Sequence, residues 1–392
     1  MKIWKLFFVL VVFLAASSFA FANVFEIIQS VPVETNLEVQ GIRHAKDVWP
    51  QMIREAKESI YLEMFYATND ANSTNDPVLN NVTDQIIEAA KRGVKVKLLV
   101  DSKMYKSNKQ IPQQLSSIKN IEVKTISFEK LTGGIQHAKF FIIDGKKFFL
   151  GSQNYDWRAL IHIHEVGLLS DDAIALNGLQ KIFQFDWDAG EATELKPLSS
   201  TKLKIKSKKA GKSNENRTIF LASPESFLPQ NTTTTISEYL RQIKSATKSI
   251  YLQTYDYGIH LFGKPDEWLI LQNALIEAAK RGLDVKLLVD VKSMKNESKA
   301  LLALQSAGVS VRVVTIPEWS GGKIPYARLV HSKYIIFDGK TAWIGSENLS
   351  GSYFIDSRNV GIIFANELAV VNLGLIFTKA WNSSYAKKIN SD

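Results

Sequence analysis

Two stretches of the chain carry the same chemically active side chains at the same spacing. The first stretch contains His137, Lys139, Asp144, Ser152 and Asn154. The second repeats that order and spacing with His331, Lys333, Asp338, Ser346 and Asn348. Two sets of imidazole, ammonium, hydroxyl and amide offer a nucleophile, a general acid and donors for anionic oxygens. That combination suits the cleavage of a phosphodiester bond.

Strands are needed to aim these side chains at one place. Alternate residues of a strand share a face, so His137 and Lys139 are predicted to point the same way. An apolar run buries the strand after Lys139, and the Asp-Gly that follows suits a tight turn. The next strand returns, which brings the motif's Ser and Asn to the same edge. Asp144 and Asp338 therefore have a predicted structural role at the turn.

The two motifs belong to a longer internal repeat. Residues 88–93 and 277–282 both read Glu-Ala-Ala-Lys-Arg-Gly, and each copy leads to an apolar strand ending in Lys-Leu-Leu-Val-Asp. Upstream, a helical stretch precedes a β-rich run in each copy, at 48–59 then 60–66 and at 236–249 then 250–257. This alternation predicts an α/β fold. We expect two duplicated α-β-α half-domains with pseudo-two-fold symmetry and one active site at their interface.

Composition predicts the boundaries of the segments. Residues 1–22 have a basic start, an apolar run and an Ala-Phe-Ala site, which is typical of a signal peptide, with an uncleaved anchor as the alternative. The half-domains are assigned to 23–194 and 217–392. The Lys-, Ser- and Gly-rich stretch 195–216 is assigned to a linker or surface excursion. We therefore expect an exported protein, whether secreted, periplasmic or in an endolysosomal lumen.

Charge and cysteine content narrow the chemistry. Without the predicted signal peptide the chain has 46 basic and 39 acidic side chains, an excess that favours polyanions or anionic membranes as partners. The chain has no cysteine, so thiolate catalysis and thiolate metal sites are excluded. His162, His164 and Glu165 form no complete ligand set. We expect neither a metal nor a cofactor.

The doubled His-x-Lys-x4-Asp-x6-Gly-Ser-x-Asn motif resembles that of the phospholipase D superfamily, and the resemblance covers about residues 24–381. It implies a covalent phosphohistidine formed without a metal, with His137 and His331 as nucleophile and general acid. It also implies groups that hold the phosphoryl oxygens, namely Lys139, Lys333, Asn154 and Asn348, supported by Ser152 and Ser346.

One difference between the halves predicts separate roles for the histidines. Glu165 lies 28 residues after His137, and Asn359 occupies the corresponding position after His331. In the family that the chain resembles, this position orients the histidine, and a carboxylate there makes the imidazole more basic. We predict that Glu165 orients His137 as nucleophile, that His331 is the acid and that Asn359 helps to bind substrate. The alternative for Glu165 is a salt bridge at a strand edge.

The resemblance leaves the phosphodiester open. The sequences after both motifs, and Gln-Ser-Val-Pro at 29–32, are similar to those of lysosomal phospholipase-D-like 5′ exonucleases and poxvirus envelope proteins. A basic protein with aromatic rings near its motifs suits single-stranded nucleic acid.

The rings proposed to be exposed, with core packing as the alternative, are Tyr155, Trp157, Tyr257, Tyr353 and Phe354. A phospholipase D or transphosphatidylase acting on phospholipid is the other candidate enzyme. Two intact motifs argue against a non-catalytic assembly factor. One chain suffices for one site, and a homodimer stays open.

Overall fold

The computed structural model describes residues 23–69, 77–192 and 218–389. The predicted signal peptide at 1–22 and the predicted linker at 195–216 lie outside these ranges, so both stay predictions. Within the ranges described, no helix has both the length and the apolar composition to cross a membrane.

The first half is built around one mixed sheet. Its strands are β1 (Phe25–Ser30), β2 (Ser59–Met64), β3 (Ala67–Thr68), β4 (Lys95–Asp101), β5 (Ile121–Ile126), β6 (Phe140–Ile143), β7 (Lys147–Gly151), β8 (Tyr155–Asp156), β9 (Glu165–Ser170) and β10 (Glu191–Ala192). Its helices are α1 (Ala45–Arg54), α2 (Pro77–Lys91), α3 (Ser102–Ser107), α4 (Gln110–Ser116), α5 (Phe128–Leu131), α6 (Trp157–Ile161) and α7 (Ala173–Ala189). The sheet has the order β1-β9-β7-β6-β2-β4-β5-β10, and β3 pairs with β8.

The second half repeats this plan. Its strands are β11 (Ile219–Ser223), β12 (Thr233–Thr234), β13 (Ser249–Thr254), β14 (Tyr257–Gly258), β15 (Asp284–Asp290), β16 (Ser310–Val314), β17 (Tyr334–Phe337), β18 (Thr341–Gly345), β19 (Leu349–Ser350), β20 (Asn359–Phe364) and β21 (Ala386–Lys388). Its helices are α8 (Thr235–Ser245), α9 (Ile270–Lys280), α10 (Val291–Ser306), α11 (Gly351–Ile355) and α12 (Glu367–Trp381), and a 3₁₀ turn covers Glu225–Phe227. The sheet has the order β12-β11-β20-β18-β17-β13-β15-β16-β21.

The two sheets share the same internal topology. In each, three central strands run parallel, β2-β4-β5 in the first half and β13-β15-β16 in the second. An antiparallel hairpin follows beside them, β6–β7 or β17–β18. Long helices cover the sheets, as expected for parallel strands whose two faces are both apolar. The predicted α/β fold built from two duplicated halves is confirmed.

Three apolar cores hold the molecule together. Each half has an outer core, in which α1 and α2 pack on the first sheet and α8 and α9 on the second. A third core lies between the halves and contains inward side chains of both sheets together with those of α7 and α12. Leu150, Leu168, Ile344 and Ile362 belong to this shared core and are fully buried. Because both halves contribute to it, the shared core fixes one half against the other.

The motif aspartates explain where two helices end. Asp144 accepts hydrogen bonds from the amides of residues 57, 58 and 59, at 2.7–3.1 Å. Asp338 binds the amides of residues 247–249 in the same way. These amides cannot continue a helix, so α1 ends at Arg54 and α8 at Ser245, and the helices predicted at 48–59 and 236–249 were extended too far. Asp144 itself lies in the tight turn, with φ at +54°.

A buried ion pair joins the halves. Arg358, fully buried, donates from Nε and Nη2 to the carboxylate of Asp186 on α7, at 2.6 and 2.9 Å. Its remaining donors bind the carbonyl oxygens of Ser223 and Phe227, at 2.7 and 2.6 Å. Such a pair is held by its full set of hydrogen bonds, and removing one member leaves the other charge buried without compensation.

We expect Asp186→Ala to lower the free energy of unfolding by about 3–5 kcal/mol, because it leaves the Arg358 guanidinium buried and unpaired. Urea unfolding followed by circular dichroism measures the change. Asp188→Ala, on the exposed side of the same helix, is the matched control and should cost less than about 1 kcal/mol. Equal losses in the two variants would show that the ion pair has no special role.

Candidate active site

The His-x-Lys segments lie just before strands rather than within them. His137 and Lys139 precede β6, and His331 and Lys333 precede β17. Each segment bonds to the opposite half: the His137 amide donates to the Arg358 carbonyl at 2.8 Å, and the His331 amide donates to the His164 carbonyl at 2.9 Å. The prediction that these residues form part of a strand is wrong, because the histidine amides bond across the interface. The lysine carbonyls still bond to the main sheets, where they accept from the amides of Gly151 and Gly345 at the ends of β7 and β18.

The imidazoles exchange partners across that interface. Nδ1 of His331 lies 3.0 and 2.9 Å from the carboxylate oxygens of Glu165. Nδ1 of His137 lies 2.9 Å from Oδ1 of Asn359. The prediction that Glu165 orients His137 is therefore wrong. Glu165 and Asn359 each begin a strand of their own sheet, and the segment that crosses over them comes from the other half.

Asn359 holds a histidine, whereas it was predicted to bind substrate. Its Nδ2 donates to the Tyr353 carbonyl at 2.8 Å, and its Oδ1 accepts from the Ser346 hydroxyl at 3.1 Å. These bonds fix the orientation of the amide. Oδ1 then accepts the Nδ1 proton of His137, which leaves Nε2 of that ring for chemistry.

The two motif serines also hold structure. The Ser152 hydroxyl donates to the Val166 carbonyl at 3.0 Å and accepts from the Val166 amide at 3.1 Å. The Ser346 hydroxyl accepts from the Val360 amide at 3.2 Å, and its one proton lies between Oδ1 of Asn359 at 3.1 Å and the Val360 carbonyl at 3.4 Å. Each serine hydroxyl donates its proton to the strand that starts with Glu165 or with Asn359. The predicted contact between these hydroxyls and substrate does not fit these bonds.

The lysines form a buried cationic pair. Nζ of Lys139 donates to the His137 carbonyl at 2.7 Å, and Nζ of Lys333 donates to the His331 carbonyl at 2.5 Å. Burial lowers the pKa of Lys333 to about 7, with Glu165 acting in the opposite direction. Burial and the Lys333 ammonium lower the pKa of Lys139 well below its usual range. A bound anion would favour the charged form of both groups.

The same environment acts on the other ionisable groups. Burial, together with the Lys139 and Lys333 ammonium groups, lowers the pKa of both His137 and His331 well below the usual imidazole value. Burial raises the pKa of Glu165 to about 7, opposed by Lys333. These mutual effects require the two motifs to lie close together. The structure thus brings the paired motif residues into one site.

Each motif asparagine has a side-chain oxygen that makes no hydrogen bond within the described chain. Oδ1 of Asn154 and Oδ1 of Asn348 are buried without a hydrogen-bond partner within the described chain. A buried polar atom without a partner is costly. An amide oxygen accepts hydrogen bonds, so these two atoms suit a water or hydroxyl group, and the Nδ2 groups are the ones that can donate to a phosphoryl oxygen. Both asparagines lie directly after the strands that end the motifs, β7 and β18, as predicted.

Two aromatic residues at the site were not predicted. The ring of Phe65 lies 5.0 Å from that of His137, and the ring of Tyr255 lies 4.9 Å from that of His331. Nζ of Lys139 is 5.2 Å from the Phe65 ring, and Nζ of Lys333 is 5.6 Å from the Tyr255 ring. Aligning the repeats at Ser-Ile-Tyr-Leu places these rings at equivalent positions, and that register could have identified them.

Two further carboxylates position the histidine segments. Asp101 accepts from the amide of Gln136, and Asp290 from the amide of Val330, both at 2.9 Å. Each aspartate also caps the helix that follows it. The acceptor therefore fixes the residue directly before each histidine. The shared Lys-Leu-Leu-Val-Asp strand end was the sequence signal for this role.

Most of the aromatic rings predicted to be exposed are in the core. Tyr155, Trp157, Tyr257 and Phe354 are at most 5% exposed and pack in the outer cores. Tyr353 is also buried, but its ring lies 4.9 Å from that of His137. The expectation of an exposed stacking surface at these five residues is wrong, because the motif ends turn inward toward the apolar layers.

Comparison with protein families matches the chain twice. The family model described as cardiolipin synthase, PLD-like domain, matches residues 50–187 and again residues 239–381. Each match contains one His-x-Lys segment. Phosphatidylserine synthase of Haemophilus influenzae Rd KW20 has a similar fold, with a TM-score of 0.65 at 12% identity over 88% of this chain and 85% of that chain.

Relatives of similar length have names of two kinds. Phospholipase D Z of Dictyostelium discoideum is 28% identical over 92% of this chain and 90% of its own length. The 5'-3' exonuclease PLD3 of Xenopus laevis is 27% identical over 88% of this chain and 76% of its own. The virion nicking-joining enzyme of Vaccinia virus (strain Western Reserve) is 27% identical over 88% and 84%. The predicted likeness to the exonuclease and poxvirus branch is confirmed.

A fourth carboxylate beside the site differs between the halves. Glu347 is fully buried, and its Oε1 accepts from the Thr235 hydroxyl at 2.6 Å while Oε2 has no partner among the described residues. Burial raises the pKa of Glu347 to about 7. The first half has Gln153 at the equivalent motif position. Replacing Glu347 by Gln therefore exchanges its carboxyl group for the amide that the first half has at the equivalent position.

We expect Glu347→Gln to stabilise the protein more at pH 8 than at pH 5. The folded state holds the Glu347 proton up to about pH 7, whereas an unfolded glutamate releases it near its ordinary pKa of about 4.3. The free energy of unfolding therefore falls as pH rises between these values. Thermal unfolding at both pH values measures the effect, expected to be a few degrees. Gln153→Glu should change the midpoint in the opposite direction at pH 8, and a pH-independent difference would contradict the assignment.

Proposed function

The chain belongs to the PLD-like domain family and is a phosphodiesterase of the phospholipase D superfamily, and from that premise we propose that it is a nuclease. It hydrolyses single-stranded nucleic acid from the 5′ end, without a metal ion, through a covalent phosphohistidine. The protein is exported, and one chain contains the complete site.

The observation that carries this proposal is the exchange of imidazole partners. Glu165 and Asn359 each engage Nδ1 of the histidine from the opposite half. Nε2 of both rings is then available, so one ring can attack phosphorus while the other gives a proton to the departing oxygen.

His331 is the proposed nucleophile. Its attack places a positive charge on the ring when the Nε2–phosphorus bond forms. The Glu165 carboxylate, 2.9 Å from Nδ1, stabilises that charge and fixes the reactive tautomer. As in the sequence analysis, the histidine with a carboxylate partner is assigned as the nucleophile. The structure shows that this histidine is His331 rather than His137.

His137 is the proposed general acid. Its partner is the neutral amide of Asn359, which stabilises an imidazolium less than a carboxylate does, so the ring gives up its proton more readily. The negative charge of a bound phosphodiester offsets the two lysines and favours the protonated ring before attack.

The reaction proceeds in two balanced steps. In the first, the bond between His331 Nε2 and phosphorus forms, the bond from phosphorus to the leaving oxygen breaks, and that oxygen takes the His137 proton. In the second, a water oxygen bonds to phosphorus and gives its proton to His137 as the Nε2–phosphorus bond breaks. The lysine ammonium groups and the asparagine amides bind the non-bridging oxygens in both steps.

Nucleic acid is preferred over lipid on two grounds. Two of the relatives described above are named as an exonuclease and a nicking-joining enzyme. The excess of basic over acidic side chains favours a polyanion. A phospholipase D activity is the alternative, because another relative has that name.

The substrate test compares four phosphodiesters in the presence of EDTA. Purified protein is given 5′-hydroxyl and 5′-phosphorylated single-stranded DNA, duplex DNA, and phosphatidylcholine or phosphatidylglycerol vesicles. We expect turnover of single strands and none of the vesicles. Lipid hydrolysis without cleavage of any oligonucleotide overturns the choice of substrate, and loss of all activity in EDTA overturns the metal-free mechanism.

Trapping the intermediate tests the two histidines. With a ³²P-labelled nucleoside 3′-(p-nitrophenyl phosphate), the leaving group departs without an acid. We expect His137→Ala to accumulate labelled protein, because water is no longer activated, and His331→Ala to give no label. An alkaline denaturing gel preserves the phosphohistidine for measurement. Label on His331→Ala and none on His137→Ala would reverse the assignment.

A further inference from the structure

An exposed aromatic ring lies next to the buried ring that touches His137. Phe262 is 54% exposed, and its ring centroid is 5.4 Å from that of Tyr353 in an edge-on arrangement. Tyr353 in turn packs against His137 at 4.9 Å. One ring therefore separates the exposed phenyl group from the imidazole.

The loop that carries Phe262 is fixed at several points. The Phe262 amide donates to the Ser352 hydroxyl at 2.9 Å. Lys264 forms an ion pair with Asp356 at 3.2 Å. On the other side, His260 lies 2.8 Å from a carboxylate oxygen of Glu297 on α10. A ring held in this way loses little conformational freedom when a ligand binds.

Among the described residues, the ring of Tyr353 has no counterpart in the first half. Aligning the motifs places Ala159 of the first half at the position of Tyr353. Ala159 is fully buried and has no ring to offer. The two sides of the phosphate are therefore unlike: the His331 ring packs against Tyr255, whereas the His137 ring packs against both Phe65 and Tyr353.

We propose that Phe262 and Tyr353 form a subsite for the nucleobase of the nucleoside that carries the leaving oxygen. This inference rests on the proposed nuclease function and on His137 as the acid, because the acid lies beside the leaving oxygen. A flat, exposed ring accepts any base by stacking, which gives binding without sequence preference.

The loop favours a base over an acyl chain. Within the loop Phe262 is the exposed large apolar side chain, and the exposed residues that follow it include the charged Lys264, Asp266 and Glu267. Ile270, which is also exposed, begins α9. Insertion into a lipid surface uses a contiguous apolar face. The loop therefore presents one exposed aromatic ring, and the area of that ring suits a single base.

The test is a double-mutant cycle between protein and substrate. Short single strands carry an abasic residue on either side of the first scissile phosphate, and kcat/KM is measured for the wild type and for Phe262→Ala. We expect Phe262→Ala to lower kcat/KM about tenfold on the intact strand, since stacking on a ring is worth about 1–3 kcal/mol per base. Removing the leaving-side base should cost the wild type a similar factor and cost Phe262→Ala nothing further.

Controls separate the subsite from folding and from the function itself. Phe262→Tyr keeps the ring and should retain activity, and Leu368→Ala removes an exposed apolar side chain on α12 and should change nothing. Unchanged kcat/KM in Phe262→Ala, or coupling to the other nucleoside, overturns the subsite. Loss of binding to phosphatidylglycerol vesicles with full activity on the strand also overturns it. If the wild type cleaves no strand at all, the proposed function fails instead.

Discussion

Each motif imidazole of this protein is oriented by a side chain from the opposite half. The Glu165–His331 and Asn359–His137 hydrogen bonds depend on how the two sheets are packed. The shared apolar core, the Arg358–Asp186 ion pair and the backbone bonds from the histidines to residues 358 and 164 all serve that packing. Within the part of the chain that the structure describes, this packing buries both motif histidines and both motif lysines.

The fold is duplicated, but its chemistry is not. Strand order, the motif turn, the aspartate acceptors and the buried lysines recur in both halves. The differences lie at residues that touch the imidazoles or border the motif: a carboxylate opposite an amide, a tyrosine opposite an alanine, and Glu347 opposite Gln153. The two halves thus share one scaffold, and in the proposed mechanism one supplies the nucleophile and the other the general acid.

The features of the fold and the site that depend on local periodicity and spacing were predicted correctly from the sequence. The α/β halves, the tight turn at Asp144 and the meeting of both motifs follow from alternating elements and an internal repeat. The sequence analysis paired Glu165 with His137 because it assumed that each histidine is oriented by a residue of its own half. It placed rings such as Tyr155 at the surface because sequence does not tell which way a short strand turns after the motif. Both errors concern long-range packing, which periodicity does not encode.

Because the two halves are joined in one chain, the two sides of the site can have different residues. A symmetric dimer of single halves must back both imidazoles with the same residue, so a chain threaded through it meets the same surroundings from either end. Here one side of the phosphate faces an amide-backed ring with Tyr353 against it, and the other a carboxylate-backed ring. Under the proposed function, the two directions in which a strand can cross the site are therefore not equivalent.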